Sequence, residues 1–307
     1  MEFFKKKTSF DFFGYRKIAL MFSLLLVGIS IISLCTKGIN WGLDFTGGTV
    51  AELTYPASAD LDDIRQRLHQ NGFEEAIVQY YGSTHDVIVR IAPRVGQNEQ
   101  VVAQALLKVL QQTSPEVHLL RAETVGAQVG QELAQKGTLA VLLALFLIAC
   151  YIGFRFEYRF AVSAAVALAH DPIIILGVFS LWGLEFDLNT LAAILAILGY
   201  SLNDTIVVFD RVKENFIRVR KGTPLEIMNL SINQTLSRTI MTSALTLMVV
   251  LALLIFGGPT IFGFALALFI GIIVGTYSSI YVAGSCAVAL GLNKQDLMLP
   301  AKTQDEA

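Results

Sequence analysis

The chain has 307 residues, 54% of them hydrophobic, with 23 Lys and Arg against 25 Asp and Glu and a net charge of -2. Its mean hydropathy is +0.59 and only 16% of its residues are charged, against roughly 25% in soluble domains, which excludes a soluble globular class and points to an integral membrane protein. The near-balanced charge speaks against a large nucleic-acid surface.

Residues 1–17 form a short tail carrying Lys5, Lys6, Lys7, Arg16 and Lys17, and the first apolar run follows from Ile18 to Cys35. That run is longer than the roughly 7 to 15 residues of a signal-peptide core, and CTKGINWGLDF after it offers no small-residue cleavage site, so it reads as a retained anchor. Residues 36–137 are polar. TVAELTY alternates like a strand, and LDDIRQRLHQNG reads as a helix with Leu61, Ile64 and Leu68 on one face and Asn71-Gly72 at its end. AIVQYY and DVIVRI are strands flanking a GSTH turn, EQVVAQALLKVLQQ is a second amphipathic helix, and VHLLRAETV is a last strand. This βαββαβ order is the ferredoxin-like arrangement, an α+β domain whose helices cover one face of an antiparallel sheet.

That domain shows no convincing catalytic set. His69, His85 and His118 lack metal-ligand spacing, and Ser83 has no evident base. NWGLDFTGG, Asn40 to Gly48, reads as a joint between the first span and the first strand, with Trp41 suited to the membrane interface and Gly47-Gly48 allowing a tight turn.

Five more spans follow within residues 138–292: Thr138 to Phe154, Phe160 to Leu181, Leu188 to Phe209, Thr239 to Phe256, and Ile261 to Leu292. A C-terminal tail occupies 293–307. Lys and Arg gather before span one, at Arg155 and Arg159, and again from Arg211 through Lys213, Arg218, Arg220 and Lys221 to Arg238. The alternate short loops WGLEFD and GGPT have none. The positive-inside rule therefore puts both termini in the cytoplasm and residues 36–137 outside. Cys35, Cys150 and Cys286 all lie in apolar runs and are expected to be free, buried thiols.

Three polar clusters interrupt the spans. His170-Asp171-Pro172 lies about 16 Å from the cytoplasmic edge, counting from Arg159, and Pro172 there is expected to kink the helix. Asn203-Asp204 lies roughly 10 Å deep, counting from Arg211. An ionised group at such depth costs at least about 2.5 to 3.5 kcal/mol on insertion scales, so it needs a partner or a task. Helical spacing puts Asp204, Val208 and Arg211 on one stripe and Asn203, Val207, Asp210 and Glu214 on the next, so Asp210, Arg211 and Glu214 read as an ion-pair network at a helix end. Arg238 starts span five, and its stem can reach inward toward Asp204 or snorkel outward. A carboxylate alternating between a guanidinium and an apolar setting can take up and release a proton. In span six Gly263, Ala267, Gly271, Gly275, Ser279, Ala283 and Ala287 form a small-residue stripe suited to close helix packing.

NWGLDFTGGT, ALAHD, GYSLNDTIVVFDRVKEN, SRTIMTS, FGGPTIFGF and IGIIVGTYSSIYVA together resemble the SecD/SecF family of bacterial protein-export membrane proteins, within the RND-type superfamily. The resemblance implies a polytopic α-helical membrane protein with six spans and the ferredoxin-like domain between the first two. It implies a heterodimer with SecD in the bacterial inner membrane that assists SecYEG and SecA, with YajC a further candidate partner. Proton flow would drive movement of the external domain against an unfolded polypeptide, with no enzymatic step, no metal and no cofactor beyond the coupling proton. The family's intramembrane Asp and Arg map onto Asp204 and Arg238, with His170, Asp171, Asn203, Asp210 and Arg211 as a supporting polar network. The alternatives are a stand-alone RND-type small-molecule exporter and an intramembrane aspartyl protease, for which Asp171 and Asp204 would have to pair.

Overall fold

The computed structural model describes residues 9–92, 99–112, 114–219 and 221–292, without the side chains of 99, 100 and 103. Lys5, Lys6, Lys7, Arg220 and the C-terminal tail lie outside the described residues. The elements in order are α1 (Arg16–Thr36), β1 (Asn40–Trp41), α2 (Leu43–Thr46), β2 (Gly48–Thr54), α3 (Leu61–Gln70), β3 (Ile77–Tyr81), β4 (Ser83–Ile91), α4 (Glu99–Gln111), β5 (His118–Val125), α5 (Ala127–Arg155), α6 (Tyr158–Trp182), β6 (Glu185–Phe186), α7 (Leu188–Arg218), α8 (Pro224–Phe256) and α9 (Pro259–Tyr277). A π-helical stretch, Ser278–Ala283, and α10 (Gly284–Ala289) complete the last span. Two compact units result: a helical one formed by the chain up to Asn40, Val141–Glu185 and from Asn189 on, and a smaller one of Trp41–Ala140 with Phe186–Leu188.

The smaller unit contains an antiparallel sheet of order β3-β4-β2-β5. With α3 and α4 between the strands, this is the ferredoxin-like topology. Period-two alternation sends Ala51, Leu53, Val87 and Val89 into a core with Ile64 and Leu68 of α3 and Leu106 and Leu110 of α4. In register, Ala51 faces Val89 and Leu53 faces Val87. The Asp60 side chain caps α3 by accepting from the Asp62 and Asp63 amides. The hairpin turn is tighter than the GSTH reading: Ser83–His85 belong to β4, and Gly82, at φ +77, makes the reversal.

The glycine pair does more than turn. Gly47 and Gly48 have φ values of +69 and +115, conformations that L side chains rarely adopt. A Cβ on Gly47 would lie 2.8 Å from the Ala127 Cα, and one on Gly130 would lie 2.8 Å from the Gly47 nitrogen. Two backbones thus meet without side chains between them, fixing the start of β2 against the start of α5. Trp41, Phe45 and Phe186 cluster beside this joint with ring centroids 5.6 to 5.8 Å apart.

Among the described residues, six helices are long and apolar enough to cross a membrane. In the helical unit α1 lies along α6 through a seam of small and polar residues. Ser33 Oγ is 2.9 Å from Ser180 Oγ, and a Cβ on Gly177 would collide with Ser30. Such seams replace the hydrophobic drive that lipid cannot supply. The stripe of span six packs against α7, Gly263 meeting Thr190, Gly271 meeting Ile197 and Gly275 meeting Ser201. The span departs from the uniform helix that its four-residue repeat suggested. A stripe with period four drifts by about 40° per step on an α-helix of 3.6 residues per turn. The wider i→i+5 turn at Ser278–Ala283 counters that drift, so Ser279, Ala283 and Ala287 stay buried. Pro172 lies inside α6, which continues unbroken through it. The cysteines are free, but Cys35 is exposed and the other two only half-buried, because apolar runs in a membrane also face outward.

The chain before α1 is tied to α8. Asn233 accepts from the Phe10 amide (2.9 Å) and donates to the Phe10 carbonyl (2.8 Å), and Asn229 accepts from the Phe12 amide (2.8 Å). Phe13 enters the core of the helical unit against Gly284 and Met228.

Candidate functional site

Three helices and the π stretch converge on Asp171, which is completely buried. Its Oδ1 lies 2.9 Å from His170 Nδ1, and its Oδ2 accepts from Ser201 Oγ at 2.6 Å and Ser278 Oγ at 3.0 Å. The π geometry helps to deliver Ser278, and the absence of a side chain at Gly275 leaves room, since a Cβ there would stand 3.0 Å from Ser201 Cβ and 3.4 Å from Asp171 Oδ2. His170 Nε2 reaches Ser23 Oγ of α1 at 3.1 Å. Ser23 is 3.5 Å from the Tyr277 hydroxyl, which donates to the Ala19 carbonyl at 2.5 Å. One connected polar chain therefore crosses the bundle from α1 to α7, with each member hydrogen-bonded, as a group buried in apolar surroundings requires.

Asp204 lies one helical turn beyond Ser201 on α7 and is 3% exposed. Unlike Asp171, its Oδ2 has no hydrogen-bond partner among the described residues. Arg238 stands near enough to act on Asp204 electrostatically, yet it is exposed and forms no direct ion pair with it among the described residues. Asn203 is likewise exposed and turned away from the buried network. At the end of the spans Arg155 Nη2 contacts both Asp210 oxygens, at 2.8 and 3.0 Å. Arg211 pairs with Glu214 and donates to Gln234 at 2.6 Å, and Glu214 also holds Arg218 at 2.9 Å. Arg155–Asp210 ties α5 to α7 and Arg211–Gln234 ties α7 to α8, while the Glu214 pairs lie within α7; exposed pairs of this kind are worth little individually in stability.

The residues singled out in the sequence thus divide. His170 and Asp171 form the centre of the connected network, Asp210 and Arg211 belong to a boundary cluster, and Asp204 is buried but unsatisfied. No bond joins Asp171 to Asp204 among the described residues, as a proton-sharing aspartyl pair would need. Sequence reasoning missed Ser23, Ser201, Ser278 and Tyr277. Ser23, Ser30 and Ser33, recurring along one face of an otherwise apolar α1, were the available signal for the first. The described residues hold no cluster of three or more His, Cys, Asp or Glu that could bind a metal.

A six-span helical membrane protein with a βαββαβ domain between spans one and two, a backbone-tight glycine pair at its joint and an intramembrane carboxylate network defines the class. The family model for "protein export membrane protein SecD/SecF, C-terminal" matches residues 105–293, and that for the "SecD/SecF GG motif" matches residues 32–55. The chain belongs to the SecD/SecF family of protein-export membrane proteins. It is 48% identical over 304 residues to the protein translocase subunit SecF of Vibrio alginolyticus, covering 99% of this chain and 96% of that one. It is 47% identical to the SecF of Escherichia coli O157:H7, covering 97% and 92%. Among solved structures it resembles SecDF of Thermus thermophilus, described as a translocon-associated membrane protein, with a TM-score of 0.83 and 41% identity. That likeness covers 92% of this chain and 39% of the SecDF chain, so this chain spans well under half of that protein. SecDF in its super-membrane-facing form aligns with a TM-score of 0.69 and 40% identity. An accessory role in Sec protein export, carried by a multi-pass translocase subunit, follows from this membership.

Proposed function

We propose that the chain pairs with SecD in a proton-driven complex that pulls on, or prevents backsliding of, polypeptide emerging from the Sec channel. Asp204 and Arg238 form the proton switch, His170, Asp171 and Asn203 support it, and Asp210 and Arg211 hold the helix ends; the proton is the coupling ion and no other cofactor takes part. The observation that carries this reading is the buried Asp204 with an unpartnered oxygen, a cost of about 1 to 3 kcal/mol that a purely structural residue would not retain. Arg238 and Asn203 present polar groups on the outer surface of the same bundle, where a second six-span subunit would meet them. The SecF relatives point to the bacterial inner membrane, and Lys and Arg placement favours both termini cytoplasmic with the ferredoxin-like domain outside. The edge strands β3 and β5 of that domain offer unpaired backbone groups to an extended chain, a sequence-tolerant and weak mode of contact. SecYEG and SecA are the expected channel and motor, and YajC a further partner.

The test is reconstitution of this chain with a SecD subunit, SecYEG and SecA in vesicles. Stable co-purification of the two six-span subunits, with export stimulated by an imposed proton gradient, is expected. Export that gains nothing from the gradient in a fully assembled complex would overturn the proposal.

A further inference from the structure

His170 is the one histidine outside the smaller unit, and its two ring nitrogens face different partners. Nδ1 points at Asp171 Oδ1, while the companion Oδ2 takes the Ser201 hydroxyl hydrogen and lies 3.0 Å from Ser278 Oγ, which also has the Gly275 carbonyl at 3.1 Å. With Asp171 ionised its carboxylate can only accept, so Nδ1 carries a hydrogen in both charge states of the ring. Any change of protonation therefore falls on Nε2, and Nε2 faces the Ser23 hydroxyl.

A hydroxyl can donate or accept at the same atom, and Ser23 has an alternative acceptor in reach. When Nε2 is bare, Ser23 donates to it. When Nε2 carries a proton, Ser23 accepts and turns its own hydrogen to the Tyr277 oxygen, whose hydrogen remains on the Ala19 carbonyl. Neither arrangement orphans a buried donor, and the only covalent change is one N–H bond formed with a proton taken up from water. The groups facing the pair from the packed elements are Ser23 from α1, Ser201 from α7, and Tyr277 and Ser278 from the last span. Further along these helices stand Arg16, Lys17 and Cys35 of α1, Asp204 of α7, Tyr281 of the π stretch and Cys286 of α10, none of them bonded to His170 or Asp171 among the described residues.

We propose that His170 is a proton-holding site in its own right, distinct from Asp204, with Ser23 as the rotor that matches either charge state of the ring and Tyr277 as the rotor's second acceptor. The inference rests on hydrogen-bond geometry alone and does not depend on the proton-driven reading of Asp204. Ser23 and Tyr277 are positioning residues, acting only through the imidazole.

The full chain in lipid nanodiscs, labelled with nitrogen-15 histidine, tests this. The sequence has four histidines, and His170→Gln identifies the His170 signal by its loss. As the pH is lowered from about 9 to 5 the wild-type ring is expected to pass from a neutral form with bare Nε2 to a cation. Ser23→Ala leaves the cation without its acceptor and is expected to move the midpoint about one pH unit or more toward acid. Ser23→Thr, which keeps a hydroxyl, restores it, and Tyr277→Phe gives a smaller displacement of the same sign. A ring that keeps one protonation state throughout, or a midpoint that Ser23→Ala leaves in place, would overturn the proposal. Gradient-driven export is not measured here, so this result and that of the Asp204 reading fail or stand separately.

Discussion

Gly271→Ala tests whether the stripe of span six sets the spacing of α7 and α9. The new Cβ would lie 2.6 Å from Ile197 Cγ1 and 2.9 Å from Cγ2, and closer still to Cδ1. Carbon atoms pack best at about 3.5 to 4.0 Å, so both branches of Ile197 are overlapped and no rotation of one clears the other. Ile197 is fully buried, which leaves it nowhere to go. The helices must separate, and overpacking of this kind costs about 1 to 3 kcal/mol. Domains of 150–250 residues shift by roughly 2–4 °C per kcal/mol, so thermal unfolding of the purified chain in nanodiscs should fall by several degrees. The site should feel the same strain, because Gly275, one turn on, holds α9 close to Ser201 and Asp171. Ile197→Ala alone also destabilises by leaving a cavity, about 2 to 5 kcal/mol for such a truncation. The double variant should lose clearly less than the sum of the two, because each change makes room for the other. Strict additivity, or a Gly271→Ala protein as stable as the parent, would refute the reasoning.

Three further outcomes follow from other parts of the molecule. Gly47→Ala combines a strained φ with a backbone collision against Ala127, so hydrogen exchange at the start of β2 should rise by at least tenfold; unchanged protection would deny the joint its role. Asn233→Ala removes both bonds to Phe10, and protease cleavage before Arg16 should accelerate several-fold while the spans stay intact, an effect checked by mapping the first cut sites. Asp86, held below the usual carboxylate range first by the Ser83 hydroxyl and then by Thr54, contributes stability that is present above about pH 4 and lost as pH falls through its lower folded value. Burial pushes Tyr55 up to about 12, so its contribution is present below about pH 10 and lost as pH rises through 12. Exchange protection of β2 and β4 should therefore decline at both extremes, and Asp86→Asn should flatten only the acid limb.

The spans and the βαββαβ order were legible because each rests on a periodicity that one strand or helix carries by itself. Ile64 and Leu68, or Ala51 and Leu53, announce their faces without reference to anything distant. The glycine stripe was legible for the same reason, though not what met it, since Ile197 and Ser201 lie some seventy residues away in the chain. The π stretch left no local mark: SSIYVA is as compatible with an α-helix, and its geometry answers to packing around Asp171. Depth singled out Asp204 and Asp171 alike, but depth cannot separate a carboxylate with three donors from one with an empty oxygen. That distinction depends on Ser201, which turns to Asp171, and on Ser278, shared between Asp171 and its own Gly275 carbonyl, whereas hydroxyls such as those of Thr205 and Thr246 bond back to their own helix. Arg238 could have pointed either way from sequence, and it lies on the exposed side.

The central claim, that Asp204 carries the coupling proton, is tested most directly by Asp204→Asn assembled with SecD, SecYEG and SecA, with complex yield and gradient-driven export measured in the same vesicles. The side chain keeps its shape and loses only its titration, and the position already lacks a partner for one oxygen, so assembly and thermal stability should be preserved while stimulation by the gradient disappears. Full gradient-dependent stimulation by a properly assembled Asp204→Asn complex would contradict the account.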